Sequence, residues 1–219
     1  QFKPVLNFLD SPSKGILIAD EVGLGKTIEA GLIWTELRAR LNASRLLVLC
    51  PAALREKWQE ELARRFGVKA DIHSAKELHQ LLKRQHAGDI DDFAAIVSMQ
   101  GARPPKKWEE DESIKTGAAE LARHLSSLAP GVPVFDCVII DEAHYLRNPE
   151  ATTSKLGRVM RNVSQYVVML SATPINLHQG ELFNLLRLVD EATFDRREAF
   201  DQILTANQPL VRARDLVLS

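Results

Sequence analysis

Three clusters of polar residues, each following an apolar run, hold the side chains best suited to chemistry. The first lies in ILIADEVGLGKTIEAGLI, residues 16–33, where the apolar run ends at Ala19 and a helical pattern opens at Lys26 or Thr27. Strand, glycine-bearing loop and helix in that order are what a phosphate-binding loop requires. Gly23 and Gly25 let the backbone wrap a phosphate with its amide hydrogens inward, and the helix N-terminus adds donors and a positive dipole end. Lys26 is placed to reach the β- and γ-phosphates of a nucleotide, and the Thr27 hydroxyl to hold Mg²⁺. Asp20 stands where the strict pattern G-x-x-x-x-G-K-T has its first glycine. A dinucleotide fingerprint is disfavoured, because G-L-G-K-T lacks the G-x-G-x-x-G spacing.

The second cluster closes FDCVIIDEAH, residues 135–144. At the end of an apolar strand beside a phosphate loop, Asp141 is suited to hold Mg²⁺ and Glu142 to polarise the attacking water. Glu142 and Lys26 are therefore the expected catalytic residues, and Thr27 and Asp141 the expected metal ligands. His144, three residues past Asp141, is expected to couple the site to the rest of the domain. No histidine shows ligand spacing with Cys50 or Cys137. The third cluster follows YVVML, where Ser171 and Thr173 offer hydroxyls to the second loop and Pro174 stiffens the exit.

Residues like these need a rigid frame. Runs at 15–19, 45–50, 68–72, 94–98, 134–140 and 166–170 read as strands, mostly apolar throughout, as when helices cover both sheet faces. Helical patterns lie between them at 27–40, 52–66, 75–85, 116–128, 154–162 and 181–189, with a last one at 194–206. Leu54, Trp58, Leu62 and Phe66 recur at four-residue spacing as one buried stripe. Such a βαβα series predicts a three-layer α/β domain with a mostly parallel sheet. Residues 99–117 interrupt it: Pro104 and Pro105 forbid a continuous element, and KK followed by EEDE reads as a solvated polar loop. A contact segment around Lys106, Lys107 and Trp108 is the other reading of that stretch.

Composition sets outer limits. The chain has 219 residues, 45% hydrophobic and 26% charged, which suits one large folded domain and excludes a disordered chain. Cys50 and Cys137 both sit in apolar runs and read as small core hydrophobes. No apolar stretch is long enough for a membrane span, and the first residues lack the layout of a secretory signal, so an intracellular protein is expected. Lys plus Arg number 28 against 29 for Asp plus Glu, without the basic excess of a nonspecific nucleic-acid binder.

Taken together, the motifs resemble the first RecA-like lobe of superfamily 2 nucleic-acid motors, more narrowly the Snf2-like (SWI2/SNF2) helicase-type group. DEVGLGKT resembles motif I with its Asp20-Glu21 opening, VLCPAALREKWQEEL motif Ia, DEAH motif II, and SATPIN motif III with the Snf2-like extension. The resemblance implies a RecA-like P-loop NTPase fold over residues 1–206, with 99–117 an insertion and 207–219 a tail leading toward a second lobe. It implies ATP and Mg²⁺ as ligands, with Asp20, Glu21, Val22, Gly23, Leu24, Gly25, Lys26 and Thr27 around the phosphates and Gln1 reading adenine. It implies that Pro51, Ala52 and Ser98 touch a nucleic-acid backbone, with Arg55 or Lys57 assisting.

The implied activity is that of a DNA-dependent ATPase that translocates on double-stranded DNA and remodels protein–DNA complexes. A second RecA-like lobe would supply arginine fingers, so slow hydrolysis and a monomeric state are expected of this lobe alone. A DEAH-type RNA or DNA helicase lobe, a restriction-enzyme motor lobe and an ATP-gated binding switch are the alternatives.

Overall fold

The structure, a computed structural model, describes Val5, Phe8 and residues 14–19, 25–129, 131–171, 179–202 and 204–206. Six strands form the sheet: β1 (Gly15–Ala19), β2 (Arg45–Cys50), β3 (Asp71–His73), β4 (Phe93–Ser98), β5 (Phe135–Ile140) and β6 (Ser164–Ser171). Every pairing is parallel, in the order β1-β6-β5-β2-β4-β3. The helices are α1 (Lys26–Leu41), α2 (Arg55–Phe66), α3 (Ala75–His86), α4 (Met99–Ala102), α5 (Gly117–Ser127), α6 (Thr152–Asn162) and α7 (Gln179–Val189). Residues 197–202 and 204–206 are also helical.

Strand residues alternate between two cores, as a period of two demands. Leu46, Val48, Cys50, Cys137 and Ile139 pack under α1 and α2 with Ile33, Trp34, Trp58 and Leu62. Leu47, Leu49, Val138, Ile140 and Met169 pack under the opposite layer with Leu78, Leu121, Leu156 and Leu185. This is the three-layer α/β arrangement expected from the continuous apolar runs. Both cysteines are free and buried, and burial pushes the Cys50 thiol up to about 12, with Asp141 adding to the shift. Among the described residues no helix is long and apolar enough to cross a membrane.

Three elements differ from expectation for identifiable reasons. The third strand begins at Asp71 rather than Val68, because Gly67 at φ 62° ends α2 and the Val68 N–H donates to Leu62 O at 3.0 Å. The helix expected over 52–66 opens as a 3₁₀ turn, Ala52–Leu54, after Pro51. The stretch 99–117 is not a plain solvated loop: it contains α4, and Trp108 is only 3% exposed, packed with Ala119, Ala122 and Ile114. Arg123 secures it by donating to the carbonyls of Trp108, Ile114 and Asp111 at 3.0, 2.8 and 2.7 Å. The burial of Trp108 also removes it as the contact residue of an exposed segment.

Candidate nucleotide site and track edge

The three polar clusters fall at the C-terminal ends of strands, where open parallel sheets place ligands. β6 lies between β1 and β5, so its last residue, Ser171, lies between the ends of those two strands. Ser171 pairs with Ala19, the last residue before the phosphate loop, and lies two residues past Met169, the partner of Ile140. Of the expected phosphate loop, Gly25, Lys26 and Thr27 are described; Gln1, Asp20, Glu21, Val22, Gly23 and Leu24 lie outside the described residues, as does Thr173.

Gly25 adopts φ 94°, a left-handed conformation that a side chain resists, and opens α1 with no side-chain cap. Its carbonyl accepts from Ile28 and Glu29 at 2.8 and 3.1 Å, while amides opening a helix have no acceptor within it. That end of α1 therefore presents donors and a partial positive charge to an anion. α1 is held closely: a Cβ on Gly31 would lie 2.2 Å from the Phe66 ring, so only glycine lets α2 approach there. Lys26 and Thr27 are half-buried on the first turn.

The loop after β5 is held by several contacts. Asp141 Oδ2 accepts from the Trp58 indole at 2.8 Å, and Oδ1 accepts from the Glu142 amide at 2.9 Å. Each carboxylate oxygen keeps a lone pair, as a metal ligand held from behind must. Glu142 sits at φ 51°, ψ 47°, left-handed backbone at a non-glycine residue. Strain of this kind costs on the order of 1–3 kcal/mol and persists where surrounding structure enforces it. Glu142 Oε2 and His144 Nδ1 stand 3.1 Å apart. The pair misses hydrogen-bond geometry, and both atoms are buried with no hydrogen-bond partner among the described residues. Ser171 Oγ is a third such atom, its residue 1% exposed. Three orphaned polar atoms at one sheet edge fit a site completed by a polar ligand and its water. With the donor end of α1 and the side-chain oxygens of Thr27 and Asp141, which are of the hard type that Mg²⁺ takes, the chemistry of these residues fits ATP with Mg²⁺.

The expected nucleic-acid contacts lie along the same edge. Ala52 N donates to Gln100 Oε1 at 3.1 Å, which joins the loop after β2 to the one after β4 and sets Pro51 and Ala52 beside Ser98. Ser98 is 9% exposed and its hydroxyl caps α4, accepting from Gly101 N at 3.0 Å. The Arg55 guanidinium turns back to Ala52 O at 3.1 Å.

Some site residues escape sequence reasoning. Trp58 reads only as part of an apolar stripe, and its reach to Asp141 across 83 positions has no local signal. Gln100 is hidden in a stretch that reads as loop. Arg147 pairs with Glu181 at 3.1 Å, and Asn184 donates to Arg147 O at 3.0 Å, fastening the loop after β5 to α7.

Comparison with known proteins identifies the family and the fold. The family model described as SNF2-related domain matches residues 5–215. The RNA polymerase-associated protein RapA of Stutzerimonas stutzeri (strain A1501) is 33% identical over 203 residues, 90% of this chain and 19% of that protein. RapA of Yersinia pseudotuberculosis serotype O:1b (strain IP 31758) is 30% identical over 207 residues, covering 93% of this chain and 19% of that protein. The chain thus spans about a fifth of the length of the curated relatives it matches. In fold it is similar to the Sulfolobus solfataricus SWI2/SNF2 ATPase core in complex with dsDNA, with a TM-score of 0.59, 19% identity, and coverage of 92% of this chain and 36% of that one. The fold is therefore the RecA-like α/β fold of a SWI2/SNF2 ATPase core, and the chain belongs to the SNF2-related domain family.

Proposed function

We propose that the chain is the ATP-binding first lobe of a DNA-dependent ATPase that translocates on double-stranded DNA and remodels protein–DNA complexes. The observation that carries this reading is Glu142: left-handed, its Oε2 buried 3.1 Å from His144 Nδ1, at the edge that also holds the start of α1. A binding switch has no use for a strained, partner-poor carboxylate next to its phosphates, whereas a hydrolase uses one to take a proton from the attacking water.

The other residues divide the work. The start of α1 and the loop from Asp20 to Gly25 bind the phosphates, Lys26 neutralises the β- and γ-oxygens, and Gln1 reads adenine. Thr27 and Asp141 would hold Mg²⁺, which when bound neutralises charge on the β- and γ-phosphates. Trp58 fixes Asp141 from behind through its indole N–H. His144, Ser171 and Thr173 register the γ-phosphate and pass its presence to α7 through Arg147 and Glu181. Pro51, Ala52 and Ser98 form this lobe's share of the DNA track; the Ser98 hydroxyl accepts from Gly101 but keeps its own proton for a phosphate oxygen. A second lobe supplies arginine fingers, worth about 10³–10⁵ in turnover, so this lobe alone hydrolyses slowly. The polymerase in the relatives' names gives the first protein target to try.

ATP turnover by the full-length gene product, measured with duplex DNA, single-stranded DNA and RNA, tests the reading. Duplex DNA should stimulate most. Stimulation by RNA alone would transfer the chain to the RNA-helicase reading. Near-zero turnover by both the parent and Glu142→Gln would leave a nucleotide-gated switch.

A further inference from the structure

A second polar site lies on the flank of the sheet covered by α6 and α7. Pro149, α6, α7 and the segment after α7 line a cavity of about 230 Å³. Arg158, Arg161 and Asn162 enter it from α6, Asn184 and Arg187 from α7, and Glu191 from the following segment. A wider hollow of about 530 Å³ adjoins it and shares Arg161, Asn162 and Glu191.

Basic residues at helix C-termini are ordinary, since they offset the helix dipole, and Arg161 and Arg187 each occupy a last turn. What sets this place apart is how unequally its arginines are partnered. Arg158 donates to Pro149 O at 2.9 Å, and Arg187 to Glu191 Oε1 at 3.2 Å. The Arg161 guanidinium makes no hydrogen bond to any described residue. Burial holds its pKa below the usual value, against the opposing pull of Asp190 and Glu191. A guanidinium has five N–H donors in a planar fork, and the half-buried Arg161 keeps its donors without an acceptor among the described residues. Here the fork faces a cavity large enough for the end of one side chain.

We propose that this cavity binds the carboxylate of an acidic peptide segment, with Arg161 as the fork that receives it and Arg158 and Arg187 as flanking charges. Guanidinium and carboxylate match in plane and spacing. Nucleic acid fits less well, because its successive phosphates would meet Asp190 and Glu191 as well as the arginines. None of the residues lining the cavity is among those assigned to the phosphates or Mg²⁺, so this proposal stands or falls apart from the ATPase reading.

Fluorescence anisotropy of the 219-residue chain with a short labelled peptide of alternating glutamate and serine tests it, with the glutamine counterpart and duplex DNA as comparison probes. The glutamate peptide should bind saturably and weaken as salt rises, and the glutamine peptide should not bind. Arg161→Gln should weaken binding about 10- to 100-fold, the worth of a charge-assisted hydrogen bond, with the thermal melt unchanged. Arg161→Lys should restore part of the loss. If Arg161→Gln does not fold, Arg187→Gln, at a side chain 45% exposed, should weaken the same binding. Equal binding of the two peptides, binding indifferent to both arginines, or Arg-dependent binding of DNA in place of the peptide would overturn the proposal.

Discussion

β5 carries an acid near its start and two just past its end, and the two ends are built on opposite terms. At the start, Asp136 is 8% exposed and fully partnered. Its Oδ2 accepts from the amides of Ser44 and Arg45 at 2.7 and 2.8 Å, and its Oδ1 from Arg45 Nη2. Past the end, Asp141 is held by Trp58, while Glu142 sits in left-handed backbone with a buried oxygen that has no hydrogen bond among the described residues. The same residue class thus serves the fold at one end and is left unsatisfied at the other. Satisfied polar groups fix a structure; a polar group kept unsatisfied at a cost marks where a ligand is to arrive.

The sharpest break of that contrast is at Glu142. Glu142→Gln keeps shape and hydrogen-bonding capacity but cannot take a proton. In the full-length product with duplex DNA, ATP turnover should fall about 10²- to 10⁴-fold, the usual worth of a general base. ATP affinity should change little. Turnover above a tenth of the parent's would show that the base lies elsewhere.

At the other end, Asp136→Ala should leave nucleotide binding per folded molecule unchanged and cost about 3 kcal/mol of stability, because Arg45 loses its buried partner. Urea unfolding of the two proteins measures it. The same residue sets a pH dependence. Burial raises the Asp136 pKa, but the Arg45 side chain and the Ser44 and Arg45 amides together outweigh it and hold the carboxyl below its usual value. Its contribution is therefore full above the ordinary aspartate range and lost as pH falls through the lower folded value. The stability gap between parent and Asp136→Ala should narrow below about pH 4. A gap constant down to acid unfolding would mean the carboxylate charge is not what holds β5 to β2.

How much of this contrast was legible beforehand follows from how each signal is encoded. Continuous apolar runs such as RLLVLC and FDCVII announce buried parallel strands, and the polar residues at their ends announce the site. Ser171 and Glu142 could be placed at strand ends from the chain alone, and the structure adds that their polar atoms are buried and unmatched. Long-range pairing leaves no such trace. Nothing near Asp136 points to Arg45, 91 positions away, or near Trp58 to Asp141. The burial of Trp108 leaves no local trace for a related reason: its neighbours are charged, and one aromatic anchor with an arginine tying three carbonyls outweighs that polarity. The capping duty of Ser98 toward α4 is likewise absent from the motif that singles it out.

Trp58 belongs to both halves of the comparison, a core side chain that ends on a functional one. Trp58→Phe keeps an aromatic body in the core but removes the donor to Asp141 Oδ2. The Mg²⁺ concentration for half-maximal ATP turnover should rise about 10-fold, as when a group behind a metal ligand is lost. Adding excess Mg²⁺ should recover most of the rate. A drop in rate that excess Mg²⁺ leaves untouched would make Trp58 a packing residue only.

The smallest effect expected is also the one that tests the meaning of the strain. Left-handed backbone appears at three described non-glycine residues: Asn42, Lys107 and Glu142. Asn42 ends α1, where asparagine tolerates that conformation and the cap itself rewards it through a bond to Leu37 O. At Glu142 the amide donates to the neighbouring Asp141 and the carbonyl accepts from Tyr145, but the side chain makes no cap bond and is not of a type that tolerates this conformation. Glycine at this position would adopt φ 51° without steric cost but would lose more freedom on folding. The first term should dominate if the backbone is held strained for the sake of the carboxylate. Glu142→Gly should then melt above the parent, with a gain of about 1 kcal/mol, while its turnover falls at least as far as that of Glu142→Gln. A gain in stability with loss of turnover would identify the left-handed turn as a cost borne by the fold to aim the carboxylate. A loss of stability would mean that the Glu142 side chain supports the loop, and that its approach to His144 is a structural contact rather than a poised one.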